Sequence, residues 1–284
     1  MSTSTPTPVF TPTGRDLSFG GVVASEWIKF RSIRSTWWCF AILVVLTVGF
    51  SLLLSASLSV DPAPTGDSAQ SLSVQAVTIS TTFGALVVSV LGVLIISGEY
   101  GTGMIRSTLT AVPKRTPALL AKALVFAIAT FVVAVISFGI SIAVSVALLS
   151  GKGLETDLAD PQYWLAILGG VGYLVLVGLI AFSLGAIIRN TAGSVAVALG
   201  LVLAAPIVLN IVGVLTQLVW MQNLEKILPS SAGSALAAYP VESSGGPTTE
   251  GLWTIEPWAG GLILVAWVVV LFSTAIVLLK RRDA

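Results

Sequence analysis

The chain has 284 residues; 55% are hydrophobic, only 10% are charged, and the mean hydropathy is +0.99. A soluble domain carries about 25% charged residues, and no single soluble core of this size buries so much apolar surface. This excludes an ordinary cytosolic enzyme, a disordered chain and a secreted disulfide scaffold, and it points to a polytopic α-helical membrane protein. Fourteen Lys and Arg are scattered among thirteen Asp and Glu, a formal charge of +1 that speaks against nucleic-acid binding. Cys39 is the one cysteine and there is no histidine, so neither an intrachain disulfide nor a Cys/His metal site is expected.

The first 14 residues are rich in Ser, Thr and Pro and read as disordered, within a cytoplasmic tail drawn as 1–18. A transmembrane domain is drawn as 19–284. Its first segment, Phe19–Thr36, places Phe19, Val23, Trp27 and Phe30 on one face at helical spacing, with Lys29 and Arg31 flanking. Glu26 and Arg34 fall within that face and make the amphipathicity imperfect. The segment reads either as a helix lying in the cytoplasmic interface, with Trp27 at the headgroup level, or as a basic flank that only orients the first span.

Six uncharged apolar runs follow, at about 37–58, 76–97, 123–149, 163–188, 192–219 and 257–279. Each reaches the roughly 20 residues that a helix needs to cross the hydrocarbon core, and none shows the short alternation of a barrel strand. The first run is too long for a signal-peptide core and has 36 residues before it, so cleavage is not expected.

The loop after the second run is the most particular stretch. Gly101 and Gly103 permit a tight turn, Thr102 can cap a short helix over about 103–110, and Pro113 stops it. The alternative is a plain basic loop. In the fifth run Pro206 should kink the helix, and Asn210, Thr216 and Gln217 follow on its outer half. Pro206, Asn210 and Gln217 are candidates to shape a substrate path, although a packing kink explains them equally. A long loop at about 220–256 holds a possible short helix over 232–238, either a cap at the outer interface or a surface loop.

Twelve of the fourteen basic residues lie on one side of the six runs, whereas the other side holds Lys152, Lys226 and nine acids. The positive-inside rule places both termini in the cytoplasm and favours six spans. There is no phosphate-binding loop; the nearest fragment, Ser150–Gly153, lacks the upstream glycine and the following Ser or Thr. No catalytic residue and no metal site are expected. No charge lies within a run, which argues against a proton-coupled carrier or a voltage sensor.

Two motifs then carry a resemblance. Ser25-Glu26-Trp27-x-Lys29-x-Arg31-Ser32 precedes the first run. Glu99-Tyr100-x-x-Gly103-Met104-Ile105-Arg106, Pro113-x-Arg115 and Lys122 follow the second. In this order and placement they resemble the permeases of ATP-binding-cassette (ABC) transporters of the type-2 exporter class, over residues 19–282. The resemblance implies an all-α membrane protein with six transmembrane helices, an amphipathic N-terminal elbow helix and a cytoplasmic coupling helix between spans 2 and 3. The elbow residues would be Glu26, Trp27, Lys29, Phe30, Arg31 and Arg34. Glu99, Gly101, Thr102, Gly103, Met104, Arg106, Pro113 and Arg115 would couple to a separate cytoplasmic ATPase subunit. That subunit, not this chain, would bind ATP and Mg. A second permease copy would complete the pathway in the plasma (inner) membrane. The rival readings are a stand-alone six-span carrier or channel and a non-transporting assembly or sensor subunit. An uncharged apolar pathway suits drugs, antibiotic peptides or lipids better than small polar ions.

Overall fold

The computed structural model describes residues 18–58, 64–104, 115–241 and 251–281, and among these residues there is no strand. Helix α1, Phe19–Ser32, starts where the Ser18 hydroxyl accepts a hydrogen bond from the Gly21 amide at 3.2 Å. The extended backbone of Ile33 separates it from α2, Arg34–Ser57. Helices α3 (Asp67–Thr78) and α4 (Thr81–Thr102) follow one another through a turn at 79–80. Helix α5 covers Arg115–Ser150. Helix α6, Pro161–Ile188, opens with Asp160 accepting from the Gln162 amide and Pro161 in the first turn.

Next come α7 (Thr191–Leu199), a π-helical turn over Gly200–Ala204, and α8 (Ala205–Thr216). Two short helices, α9 (Val219–Lys226) and α10 (Pro229–Leu236), precede α11 (Pro257–Arg281). Among the described residues, six helical stretches are long and apolar enough to cross a membrane: 34–57, 67–102, 116–150, 161–188, 191–216 and 257–281.

The second span differs most from the apolar run that announced it. It begins nine residues before Ala76, because the polar side chains of α3 find partners in the 151–160 loop. Gln70 donates to the Asp157 carbonyl at 2.8 Å and accepts from the Asp157 amide at 3.2 Å, and the Ser73 and Thr156 hydroxyls lie 2.9 Å apart. A hydropathy pattern excludes such residues, whereas satisfied hydrogen bonds allow them inside a helix.

Helix α6 is the centre of the bundle, with Tyr163, Tyr173 and Phe182 fully buried. It meets α4 backbone to backbone. A Cβ on Gly92 would lie 2.5 Å from the Gly178 carbonyl oxygen, so only glycine permits this approach. The small-residue ridge at Ala181 and Gly185 also faces α4, with a Cβ on Gly185 falling 3.3 Å from the Val93 Cα. The second ridge, at Ala196, Gly200 and Ala204, has nothing within 4 Å of its central glycine. Helices α2 and α5 share a seam of fully buried hydroxyls (Thr47, Ser51 and Ser55 against Ser137, Ser141 and Ser145) across which Ser51 donates to the Ser141 carbonyl at 3.3 Å.

Pro206 sits in the first turn of α8, directly after the π turn. Proline lacks the amide that a regular ladder needs, and the wider turn before it absorbs that loss. Among its described residues, the loop at 220–256 contains two helices rather than one. Helix α10 dips between α6 and α11: Ala232 is completely buried, and a Cβ on Gly260 would lie 2.4 Å from the Ala232 carbonyl oxygen.

Candidate functional site

The end of the bundle that gathers Lys29, Lys122, Arg189, Lys280 and Arg281 carries its most concentrated chemistry. The last turn of α4 is regular helix: Glu99, Gly101 and Thr102 belong to it, and Gly103 closes it in the left-handed conformation at φ 73°. Thr102 is the last residue of this helix. Its hydroxyl donates back to the Gly98 carbonyl at 2.9 Å. Met104 follows, half exposed. The expected helix over 103–110, with Arg106 and Pro113, lies outside the described residues beyond Met104, and Arg115 is the first residue of α5.

Glu99 and Lys122 were expected in loops, outside the apolar runs. Both instead lie in spanning helices and are buried, at 8% and 7% exposure. The runs end at these charges; the helices continue because the charges satisfy one another. The Lys122 Nζ donates to Glu99 Oε1 at 2.6 Å and pairs with Glu26 Oε2 at 2.7 Å. Lys29 completes the cluster, donating to Glu26 Oε1 at 2.7 Å and standing 3.8 Å from Glu99 Oε1. Burial alone would raise the Glu26 pKa. The adjacent Lys122 ammonium, with Lys29, outweighs burial and holds it below the ordinary 4.5.

This pairing sets which face of α1 packs on the bundle. Its buried residues are Val22, Glu26 and Phe30, while Phe19 and Trp27 stand 48% and 40% exposed. The face is chosen by the demand for a partner on Glu26, not by apolar count alone. Phe30 remains on the inner face, 6.0 Å from the Phe40 ring, and Trp27 stacks on it at 6.2 Å. Arg31 and Arg34 are exposed.

A second fixture grips the same turn of α4 from the other side. Arg189 ends α6 at φ 59°, places its guanidinium 5.2 Å from the Tyr100 ring, and donates to the Leu278 carbonyl of α11 at 3.4 Å. Glu99 is thus tied to α1 and α5, and its neighbour Tyr100 to α6 and α11. Sequence reading named Glu26, Lys29, Glu99 and Lys122 separately; the meeting of three buried charges with the half-buried Lys29 has no sequence signal of its own.

Residues 21–284 match the family described as ABC-2 family transporter protein. The chain belongs to this family. With six spanning helices, this ABC-2 chain is a multi-pass membrane protein. No curated protein matches the sequence.

The candidate pathway residues of the ABC-2 chain lie apart from this cluster. Pro206 is half-buried, Asn210 is exposed, and Gln217 is exposed at the left-handed end of α8, donating to the Val214 carbonyl at 2.6 Å. The polar space that the structure does gather is at the opposite end. A cavity of about 330 Å³ lies against the α3–α4 turn, lined by Ser71, Gln75, Thr78, Thr81, Thr82 and Ser234 among others. It reaches Tyr239, whose phenol donates to Asp160 at 2.8 Å. Tyr239 also borders a wider basin of about 980 Å³ that includes Asp67, Glu155, Asp157 and Asp160. Partial burial and the neighbouring carboxylates, Asp160 first, push the Tyr239 phenol up to about 12. Among the described residues no group of Asp, Glu or Cys is arranged to hold a metal ion.

Proposed function

We propose that this ABC-2 chain is the permease subunit of an ABC exporter in the plasma membrane, driven by a separate ATPase subunit that binds ATP and Mg. The observation that carries this reading is the grip on the last turn of α4. A buried ion cluster and the Arg189 contacts tie that turn to four other helices. A push delivered just beyond Met104 would reach α1, α5, α6 and α11 through contacts that break only at a cost of several kcal/mol. That is what a coupling segment requires. On this reading the basic end faces the cytoplasm, as the charge distribution favours.

A second permease copy completes the pathway in this proposal. Only 11% of the apolar stretch of 191–216 is buried within the chain, against 61% for 161–188. The uncharged cavity at the α3–α4 turn supports a polar mouth at the far end, lined by hydroxyls and an amide. The substrate's chemistry is left to experiment.

The test is mild-detergent purification of a Met104→Cys variant on a Cys39→Ser background from its native membrane. The expected result is a co-purifying ATPase that forms a thiol cross-link to position 104. Recovery of the chain with no ATPase in any mild detergent, and with transport intact in vesicles lacking ATP, would overturn the reading in favour of a stand-alone carrier.

A further inference from the structure

A second cavity lies at the basic end, on the flank of the bundle, and the coupling reading makes no use of it. It encloses about 320 Å³ between α1, α2 and α5. That is the size of a small-ligand pocket. Its back wall is the Phe30–Phe40 pair with Ala129, all less than a tenth exposed. Its rim is Trp27, Trp37 and Val132, at 40%, 60% and 47% exposure. Trp37 is fixed there by donating its indole N–H to the Arg31 carbonyl at 3.0 Å. Tryptophans at the end of a spanning bundle sit at the level of lipid headgroups.

Two polar features turn this from an apolar face into a site with an order. Arg31 borders the cavity, is exposed, and makes no ion pair among the described residues. Thr36 also lines it, is only 2% exposed, and its hydroxyl has no hydrogen-bond partner. A buried hydroxyl without a partner is costly, so a ligand atom that accepts from it is favoured. Along α2, Phe40 lies four residues beyond Thr36, roughly 6 Å deeper at the helical rise. Along α5, Ala129 lies seven residues beyond Lys122, roughly 10 Å deeper. The cleft therefore offers a cation at its mouth, an unpartnered hydroxyl within it, and aromatic and aliphatic carbon at its base.

We propose that this cleft binds an anionic phospholipid of the surrounding leaflet. The phosphate meets Arg31, a glycerol-ester oxygen accepts from Thr36, and an acyl chain lies against Phe30, Phe40 and Ala129. The bound lipid would hold α1 against the bundle beside the Glu26–Lys122 pair without entering the pathway. Anionic headgroups are attracted to just such basic interfacial segments.

The test is native mass spectrometry of the full chain, delipidated in detergent and then given phosphatidylglycerol or phosphatidylcholine with identical acyl chains. Phosphatidylglycerol is expected to be retained as a discrete adduct at least several-fold more than phosphatidylcholine. Arg31→Gln should erase that preference, whereas Arg281→Gln at the same end of the bundle should preserve it. Thr36→Val should weaken retention of both lipids, and Val133→Trp, which fills the cleft, should abolish it. Equal retention of the two lipids, or a preference untouched by Arg31→Gln, would overturn the proposal. Arg31→Gln changes an exposed side chain, so this holds even if the filled variant fails to fold. Competition by soluble glycerol phosphate would reduce the site to an anion site without a lipid, and would also overturn it. Loss of a dimer in Val133→Trp at unchanged lipid content would assign the cleft to a second copy of the chain instead.

Discussion

Lys122 of α5 holds Glu26 of α1 at 2.7 Å and Glu99 of α4 at 2.6 Å through a single ammonium group. Three helices are therefore pinned at one buried point, at the last turn of α4. Two carboxylates share this cation, with Lys29 as a more exposed fourth member. Buried pairs of this kind add little net stability over apolar packing, but removing one partner leaves charge stranded.

Lys122→Met should therefore destabilise the protein by about 3–5 kcal/mol, because two buried carboxylates lose their nearest cation. Lys29→Met should cost about 1 kcal/mol or less, since Lys29 is partly exposed and screened. Thermal unfolding of the two variants in one detergent checks the ranking. A larger loss from Lys29→Met would refute the assignment of Lys122 as the hub.

The second prediction concerns pH. Glu26 is held below its unfolded value, so its contribution is complete at pH above the ordinary 4.5 and is lost as pH falls through the folded pKa. The melting temperature should stay level from neutral pH toward that value and decline below it. Glu26→Gln should lower the plateau and make the acid-side decline shallower. An unchanged acid limb in that variant would show that other carboxyls govern it.

Glycine positions give a third. Gly260→Ala puts a Cβ 2.4 Å from the Ala232 carbonyl oxygen, so α10 must shift, at about 1–3 kcal/mol. Gly139→Ala meets nothing within 4 Å and lies inside α5, where alanine should be neutral or stabilising by about 0.5–1 kcal/mol. Parallel melts of the two variants decide. Equal effects would mean that α10 does not dock between α6 and α11 as described.

At the end of α6, Arg189 adopts φ 59°, a left-handed conformation that most side chains avoid. Arg189→Ala and Arg189→Gly both lose the Tyr100 and Leu278 contacts, but glycine should be less damaging by about 1 kcal/mol. Chemical denaturation or melting of the pair measures that difference. If alanine is the better tolerated, the left-handed cap is not retained in the protein.

Much of this architecture was legible in the chain. The six apolar runs, the sorted charges and the proline in the fifth run are local features, and hydropathy, charge and missing amides are properties that a residue carries into any environment. Each became a helix, a basic or acidic end, and a π turn before Pro206. The limits of the elements were less legible wherever a polar residue found a remote partner. Asp67–Gln75 read as loop because the partners of Gln70 and Ser73 lie far away in sequence, in the 151–160 loop. Glu99 and Lys122 read as loop for the same reason.

By itself, then, the sequence determined six stretches long and apolar enough to cross a membrane, and which residues gather at the basic end of the bundle. Only the tertiary structure decided which face α1 turns inward, that four charges meet in one buried cluster, and that a cleft beside them joins Arg31, Thr36 and Phe40. The reason is physical. Crossing a membrane depends on the transfer free energy of each segment, which sums over its own residues. Pairing a buried charge depends on distance to a partner that lies 96 positions away along the chain, as Lys122 does from Glu26. That distance exists only once the helices have packed.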